Sequence, residues 1–207
     1  MVGDVGPHEP HASGAAARDP LPLSADLCHD AANRRPALRR EEVAVPEDTL
    51  VDFAVVAFRE DGQWQIGSLP HRAAQDMGAL VAAVRQQPSE GVTLAMCSYG
   101  DDFFLVLRPD AGDIRLLVSD ASAAREWPVA REALKLVGEP DLDEDDEVDL
   151  VEPAGDLEIF ADLGMDSMEL QAVCTDLDLY PDEMLGRIAA RIGFGPQFDR
   201  AVDDDLT

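Results

Sequence analysis

The fold is set by one stretch of sequence, Val51-Asp52-Phe53-Ala54-Val55-Val56-Ala57-Phe58, followed after the turn Asp61-Gly62 by Gln63-Trp64-Gln65-Ile66-Gly67. Both runs are rich in β-branched, aromatic and other apolar residues, which favour strands. An Asp-Gly pair between two such runs is a strong signal for a two-residue β-hairpin turn. The stretch therefore predicts an antiparallel hairpin at the start of a sheet.

Downstream, the apolar residues change from strand to helical spacing and back again. Residues 71–87 place apolar side chains three and four positions apart, so we predict one amphipathic helix there, ended by Pro88 and Gly91. Three more strands are predicted at 92–98, 103–108 and 114–118, because turn-forming residues separate these apolar runs. A helical stretch follows Asp120, restarts at Pro128 and runs to Gly138.

This order, β-β-α-β-β-β-α, predicts an α+β fold over residues 49–138 with a five-stranded, mainly antiparallel sheet. The same order occurs in profilin-like, longin-like and roadblock-like domains, most of which are interaction modules. Such an analogy concerns the fold and says little about function.

The sequence on either side has a different composition. Residues 1–48 combine prolines with an arginine cluster and lack an apolar period, so we expect a disordered leader. Residues 139–153 are dense in acids, which predicts a solvated linker. Residues 154–200 return to helical spacing and predict a small helical domain, and residues 201–207 are expected to be a frayed acidic tail.

Charge and cysteine content limit the classes of function. The formal net charge is −27, so direct binding to nucleic acid or to an anionic membrane is unfavourable. The three cysteines, Cys28, Cys97 and Cys174, are widely separated and odd in number, which argues against a disulfide framework and suits a reducing cytoplasm. No apolar stretch is long enough to span a membrane, and we expect no secretory signal.

The residues needed for catalysis or metal binding do not form a recognisable pattern. A zinc deaminase needs an H-x-E pair followed by P-C-x-x-C, whereas here His71 is followed by Arg72-Ala73 and no two cysteines are close. Three of the four histidines lie in the predicted leader, and the acidic run lacks the spacing of a calcium loop. We therefore expect no enzyme activity, metal or cofactor, although an enzyme with an unrecognised site is a remaining alternative.

One local motif suggests chemistry: Asp162-Leu163-Gly164-Met165-Asp166-Ser167-Met168-Glu169-Leu170. It resembles the D-L-G-x-D-S-L segment of acyl carrier proteins, in which the serine carries phosphopantetheine. Modification of Ser167 is therefore the alternative function. The competing explanation is structural, because Asp166 or Ser167 can simply cap a helix.

A second resemblance covers most of the chain after the leader. It rests on residues 51–58, 103–106, 117–121, 162–165, 176–185 and 193–195. These segments resemble the actinobacterial tRNA adenosine deaminase-associated proteins. The resemblance implies a cytoplasmic, non-catalytic accessory protein in tRNA wobble adenosine-to-inosine editing, with tRNA adenosine deaminase as its partner, and it transfers no catalytic residues.

If the deaminase exposes a positive tRNA-binding groove, a negative partner would be steered towards it. The helical domain adds apolar residues that can anchor an interface. The candidate partner-binding residues are Asp143, Glu144, Asp145, Asp146, Glu147, Phe160, Met165, Met168 and Tyr180.

Overall fold

The structure, a computed structural model, describes residues 51–89, 91–139 and 152–206. The described residues form an α+β fold in which one antiparallel sheet carries helices on both faces. Its strands are β1 (Phe53–Glu60), β2 (Gln63–Ser68), β3 (Thr93–Tyr99), β4 (Phe103–Asp110), β5 (Asp113–Val118) and β6 (Ala154–Gly155). They lie in the order β2-β1-β3-β4-β5-β6.

The predicted hairpin forms β1 and β2. Glu60 pairs with Gln63, and the two turn residues, Asp61 and Gly62, have φ angles of 51° and 72°. Positive φ at both positions is the geometry of a type I′ turn, whose twist matches that of the two strands. The sequence signal and the observed register therefore agree.

The described helices are α1 (His71–Ala74), α2 (Met77–Arg85), α3 (Pro128–Leu136), α4 (Ser167–Cys174), α5 (Pro181–Arg191) and α6 (Gly195–Asp205). The single helix predicted for residues 71–87 is thus wrong, because two helices occupy this segment. Asp76 is extended, with φ −133°, and its carboxylate accepts a hydrogen bond of 2.6 Å from the Ala79 amide. Its side chain caps α2, which ends α1 one turn after it begins.

The predicted count of five strands is also wrong, because β6 adds a sixth among the described residues. Gly155 pairs with Leu117, and Ala154 pairs with Val118. With two residues and no apolar alternation, β6 is too short to give a periodicity signal.

The sheet divides two apolar cores. Ala54 and Val56 of β1 face a core shared with α1–α3, whereas Phe53, Val55 and Ala57 face a core shared with α4–α6. Every residue of β3 is buried, which agrees with a central strand that is covered on both faces. The six-stranded sheet thus supports two helical layers, called here the α1–α3 layer and the α4–α6 layer.

The residues predicted to form a small helical domain pack in the second of these cores. Phe160, Leu185 and Phe194 of this segment are fully buried against the sheet. The tail that was expected to fray, residues 201–207, differs as well, since its residues up to Asp205 continue α6. The predicted leader and most of the predicted acidic linker, residues 140–151, lie outside the described residues.

Candidate functional site

Two arginines of the sheet hold the segment that precedes α4. Arg108 of β4 forms a bidentate pair with Asp162, at 2.6 and 2.7 Å, and also donates a 2.8 Å hydrogen bond to the Ile159 carbonyl. The Arg108 hydrogen bond lowers the pKa of the Asp162 carboxyl below its ordinary value. A second pair joins Arg115 Nε to Asp156 Oδ2 at 2.5 Å.

These contacts give the acyl-carrier-like motif a structural role. Asp162 is engaged by Arg108, and Gly164 ends a short 3-10 turn with φ +95°, a value that favours glycine. Asp166 caps α4 by accepting a 2.8 Å hydrogen bond from the Glu169 amide, and Ser167 is the half-buried first residue of that helix. The contacts of Asp162, Gly164 and Asp166 thus account for the motif without phosphopantetheine on Ser167.

The predicted apolar anchors are divided between the core and the surface. Phe160 and Met165 are 0% and 1% exposed, so they pack inside the protein and offer no contact area to a partner in this conformation. Met168 and Tyr180 are 80% and 59% exposed. Sequence analysis missed Leu177, which is 82% exposed and lies between them in the chain.

Residues 166–183, from the cap of α4 to the first turn of α5, are called here the α4–α5 corner. The backbone of the corner is fixed by polar contacts. Asp176 accepts hydrogen bonds of 3.2 Å from the Asp178 amide and from Arg187, and the Tyr180 amide donates a 3.1 Å bond to Glu183. Leu177 and Tyr180 are therefore held on an ordered turn while their side chains face solvent.

The surroundings of the corner are strongly acidic. Between Asp162 and Arg191 the chain has seven acidic residues and two arginines. Both arginines form ion pairs within this segment, Arg187 with Asp176 at 3.2 Å and Arg191 with Glu169 at 2.6 Å. The predicted partner-binding acids from Asp143 to Glu147 lie outside the described residues.

The described cysteines are buried, and the described histidine contacts a carboxylate. Burial raises the pKa of both the Cys97 and the Cys174 thiol to about 12, so these thiols are protonated at neutral pH. His71 Nε2 lies 2.9 Å from Asp205 Oδ2 at the end of α6. Within residues 51–89, 91–139 and 152–206, no group of three His, Cys, Asp or Glu side chains is arranged to hold a metal ion.

No helix in the described part of the chain is long and apolar enough to cross a membrane.

Comparison with known proteins agrees with the resemblance seen in the sequence. Protein Rv3753c of Mycobacterium tuberculosis is 34% identical over 157 residues, which cover 75% of this chain and 90% of that protein. No solved structure matches the chain. The family model described as Rv3753c-like tRNA adenosine deaminase-associated protein matches residues 52–195, and the chain therefore belongs to that family.

Proposed function

We propose that this protein is a non-catalytic accessory protein that binds tRNA adenosine deaminase in the cytoplasm through its α4–α5 corner. The family description supports the choice of partner, because it describes a protein associated with tRNA adenosine deaminase and does not describe the enzyme. The structural support for the location is the corner itself, where Leu177 is 82% exposed on a turn fixed by Asp176.

The chemistry of the corner suits a protein partner with a positive surface. Large apolar side chains that protrude from an ordered backbone bury area on binding and lose little conformational freedom. The acids around them favour approach of a cationic surface and disfavour nucleic acid. A deaminase that binds tRNA needs a positive groove, so it supplies the complementary charge.

The proposal is tested by measuring the affinity of the deaminase for the wild-type protein and for Leu177→Ala and Tyr180→Ala. Both side chains are largely exposed, so the free energy of unfolding should change by no more than about 0.5 kcal/mol. Binding should weaken roughly tenfold or more if they are central anchors of the interface.

Leu136→Ala is the matched control, because Leu136 is 54% exposed on α3, outside the corner. This variant should bind like the wild type. Equal weakening by Leu136→Ala would refute the location of the site, whereas no binding of the wild-type protein would refute the partner.

A further inference from the structure

We propose that the outer edge of β2, the last strand on that side of the described sheet, binds an extended, positively charged segment of another protein as an additional strand. This surface consists of residues 64–68 and is distinct from the residues of the α4–α5 corner. The proposal does not depend on the partner that the corner binds.

The register of the hairpin shows which backbone groups of β2 point outwards. Glu60 and Gln63 close a two-residue turn, so hydrogen-bonded pairs alternate along the ladder from that pair. Gln63, Gln65 and Gly67 bond to β1. The N–H and C=O groups of Trp64, Ile66 and Ser68 therefore face away from β1, at the edge of the sheet.

No described residue pairs with these outward backbone groups of β2. The next outward donor along the same edge of the sheet, the Ala54 amide, does have a partner. Where β2 ends, the Ala54 amide of β1 donates a 3.2 Å hydrogen bond to Asp205 Oδ2 of α6. No hydrogen bond joins Trp64, Ile66 or Ser68 to another described element. Among the described residues, the edge of the sheet is thus closed beyond β2 and unpaired along β2.

β2 also lacks the sequence features that protect edge strands in monomeric proteins. Natural edges are shortened, bulged, marked by charges or proline, or covered by a helix or loop. The sequence of β2, Gln-Trp-Gln-Ile-Gly-Ser, has six residues without a charge or a proline, and its pairing with β1 is continuous. By contrast, the strand at the opposite edge, β6, has two residues.

Charge identifies the occupant of this edge. Helix α6 runs beside β2, because the Phe194 ring lies 4.7 Å from the Trp64 ring and Asp205 reaches Ala54 at the far end. Its exposed charged residues are Asp199, Arg200, Asp203 and Asp204, three acids and one base. A second copy of this chain would bring two such acidic helices and two charges of −27 together. A strand with basic side chains at alternate positions would instead place one cationic face towards α6.

The test uses the full chain and an acetylated, amidated peptide of about eight alternating arginine and valine residues, a typical strand length. Amide hydrogen exchange is followed by NMR. On addition of the peptide, exchange at Trp64, Ile66 and Ser68 should slow at least tenfold. Gln63, Gln65 and Gly67 already bond to β1, so their exchange should change little.

Two control peptides separate strand pairing from simple attraction of charge. The same peptide with methylated backbone nitrogens cannot donate to the edge, and a glutamate–valine peptide reverses the charge. Both should give less than a tenth of the protection. Binding of the arginine peptide without protection of β2, or equal protection by the glutamate peptide, would overturn the proposal. Protection that grows with protein concentration alone would assign the edge to a second copy instead.

Discussion

Arg108 is the residue that most clearly connects sequence to architecture at this site. Its side chain is 11% exposed and bonds both the Ile159 carbonyl and Asp162, so one guanidinium satisfies a backbone acceptor and a carboxylate. Bidentate arginine–carboxylate pairs fix orientation as well as distance. Arg108 thereby positions the turn from which α4 begins, and the corner depends on it indirectly.

Replacement of Arg108 by glutamine should destabilise the protein in a pH-dependent manner. The free energy of unfolding should fall by about 1–2 kcal/mol at pH 7. We expect a value near the lower limit, because Asp162 is 53% exposed and solvent screens its ion pair with Arg108. Since Arg108 lowers the pKa of Asp162, the stabilisation is complete above the ordinary carboxyl pKa of about 4 and is lost as the pH falls through the lower, folded value.

The difference between wild type and Arg108→Gln should therefore shrink between pH 7 and about pH 3, measured by urea unfolding. These conditions lie on either side of the sequence pI of about 4.1, where solubility is poorest. Arg72→Gln, at an exposed position of α1, is the control and should have the same small effect at both pH values. A difference for Arg108→Gln that does not vary with pH would contradict this account.

Sequence analysis could identify residue types at the site but not their exposure. Phe160 and Met165 have the same apolar character as Met168 and Tyr180, and helical spacing alone does not tell which of them face the sheet. Burial of the first pair depends on contacts with strands more than 50 positions away. The exposure of Leu177 could have been predicted, because the residue stands between Asp176 and Asp178 and both aspartates favour solvent.

At the scale of elements, β6 is the case in which a single backbone position determines the pairing. Gly155 has φ +96°, and a side chain there would collide with the backbone carbonyl of Leu116. Only glycine combines this conformation with so close an approach. Ala154 and Gly155 are therefore attached to β5 by a close backbone contact that only glycine at position 155 allows.

Gly155→Ala should cost at least about 2 kcal/mol of unfolding free energy, because it adds both backbone strain and overlap with Leu116. The matched control is Gly67→Ala in β2, where an added Cβ meets nothing within 4 Å and φ is not positive. That variant should differ from wild type by less than about 0.5 kcal/mol. Similar unfolding midpoints for the two variants would show that β6 is unimportant to stability.

The end of α6 is fixed by one carboxylate. Asp205 is 10% exposed in its side chain, accepts a hydrogen bond from the Ala54 amide and lies 2.9 Å from His71 Nε2. Asp205→Ala should destabilise the protein by about 1–3 kcal/mol, because the Ala54 donor is left without a partner.

Asp204→Ala is the matched control for this prediction, since Asp204 is its exposed neighbour in the same helix. Thermal unfolding should show a clear decrease in midpoint for Asp205→Ala and almost none for Asp204→Ala. An equal effect of the two substitutions would indicate that only the general charge of the helix end matters.

The elements themselves were predictable to differing degrees. The hairpin was predictable because Asp61-Gly62 specifies its own turn, and the central strands because their apolar runs are continuous. The break between α1 and α2 was not, because apolar spacing continues across it and the break depends on the extended backbone and cap of Asp76. The helical end of α6 was not predicted either, since Asp203-Asp204-Asp205 has low helix propensity and the helix is stabilised by packing of Phe198 on the sheet.

At the scale of the whole molecule, both faces of the sheet are covered by apolar cores, and most of the negative charge remains for the surface. Part of that charge lies on the exposed residues of α5 and α6. The run from Asp143 to Glu147 adds five more acids to the C-terminal half of the sequence. Charge of this density has two interpretations. It maintains solubility, or it also directs association with a cationic partner.

Salt separates these interpretations in the complex with tRNA adenosine deaminase that we propose. If the acids direct association, the affinity or the association rate should fall several-fold as salt rises from about 50 to about 300 mM, because exposed charges are screened over about 10 Å or less. Neutralisation of Asp143 to Glu147, with Asn for Asp and Gln for Glu, should weaken binding more at low salt than at high salt. Binding that responds to neither change would leave the acidic run as a spacer, with the apolar residues of the α4–α5 corner as the source of affinity.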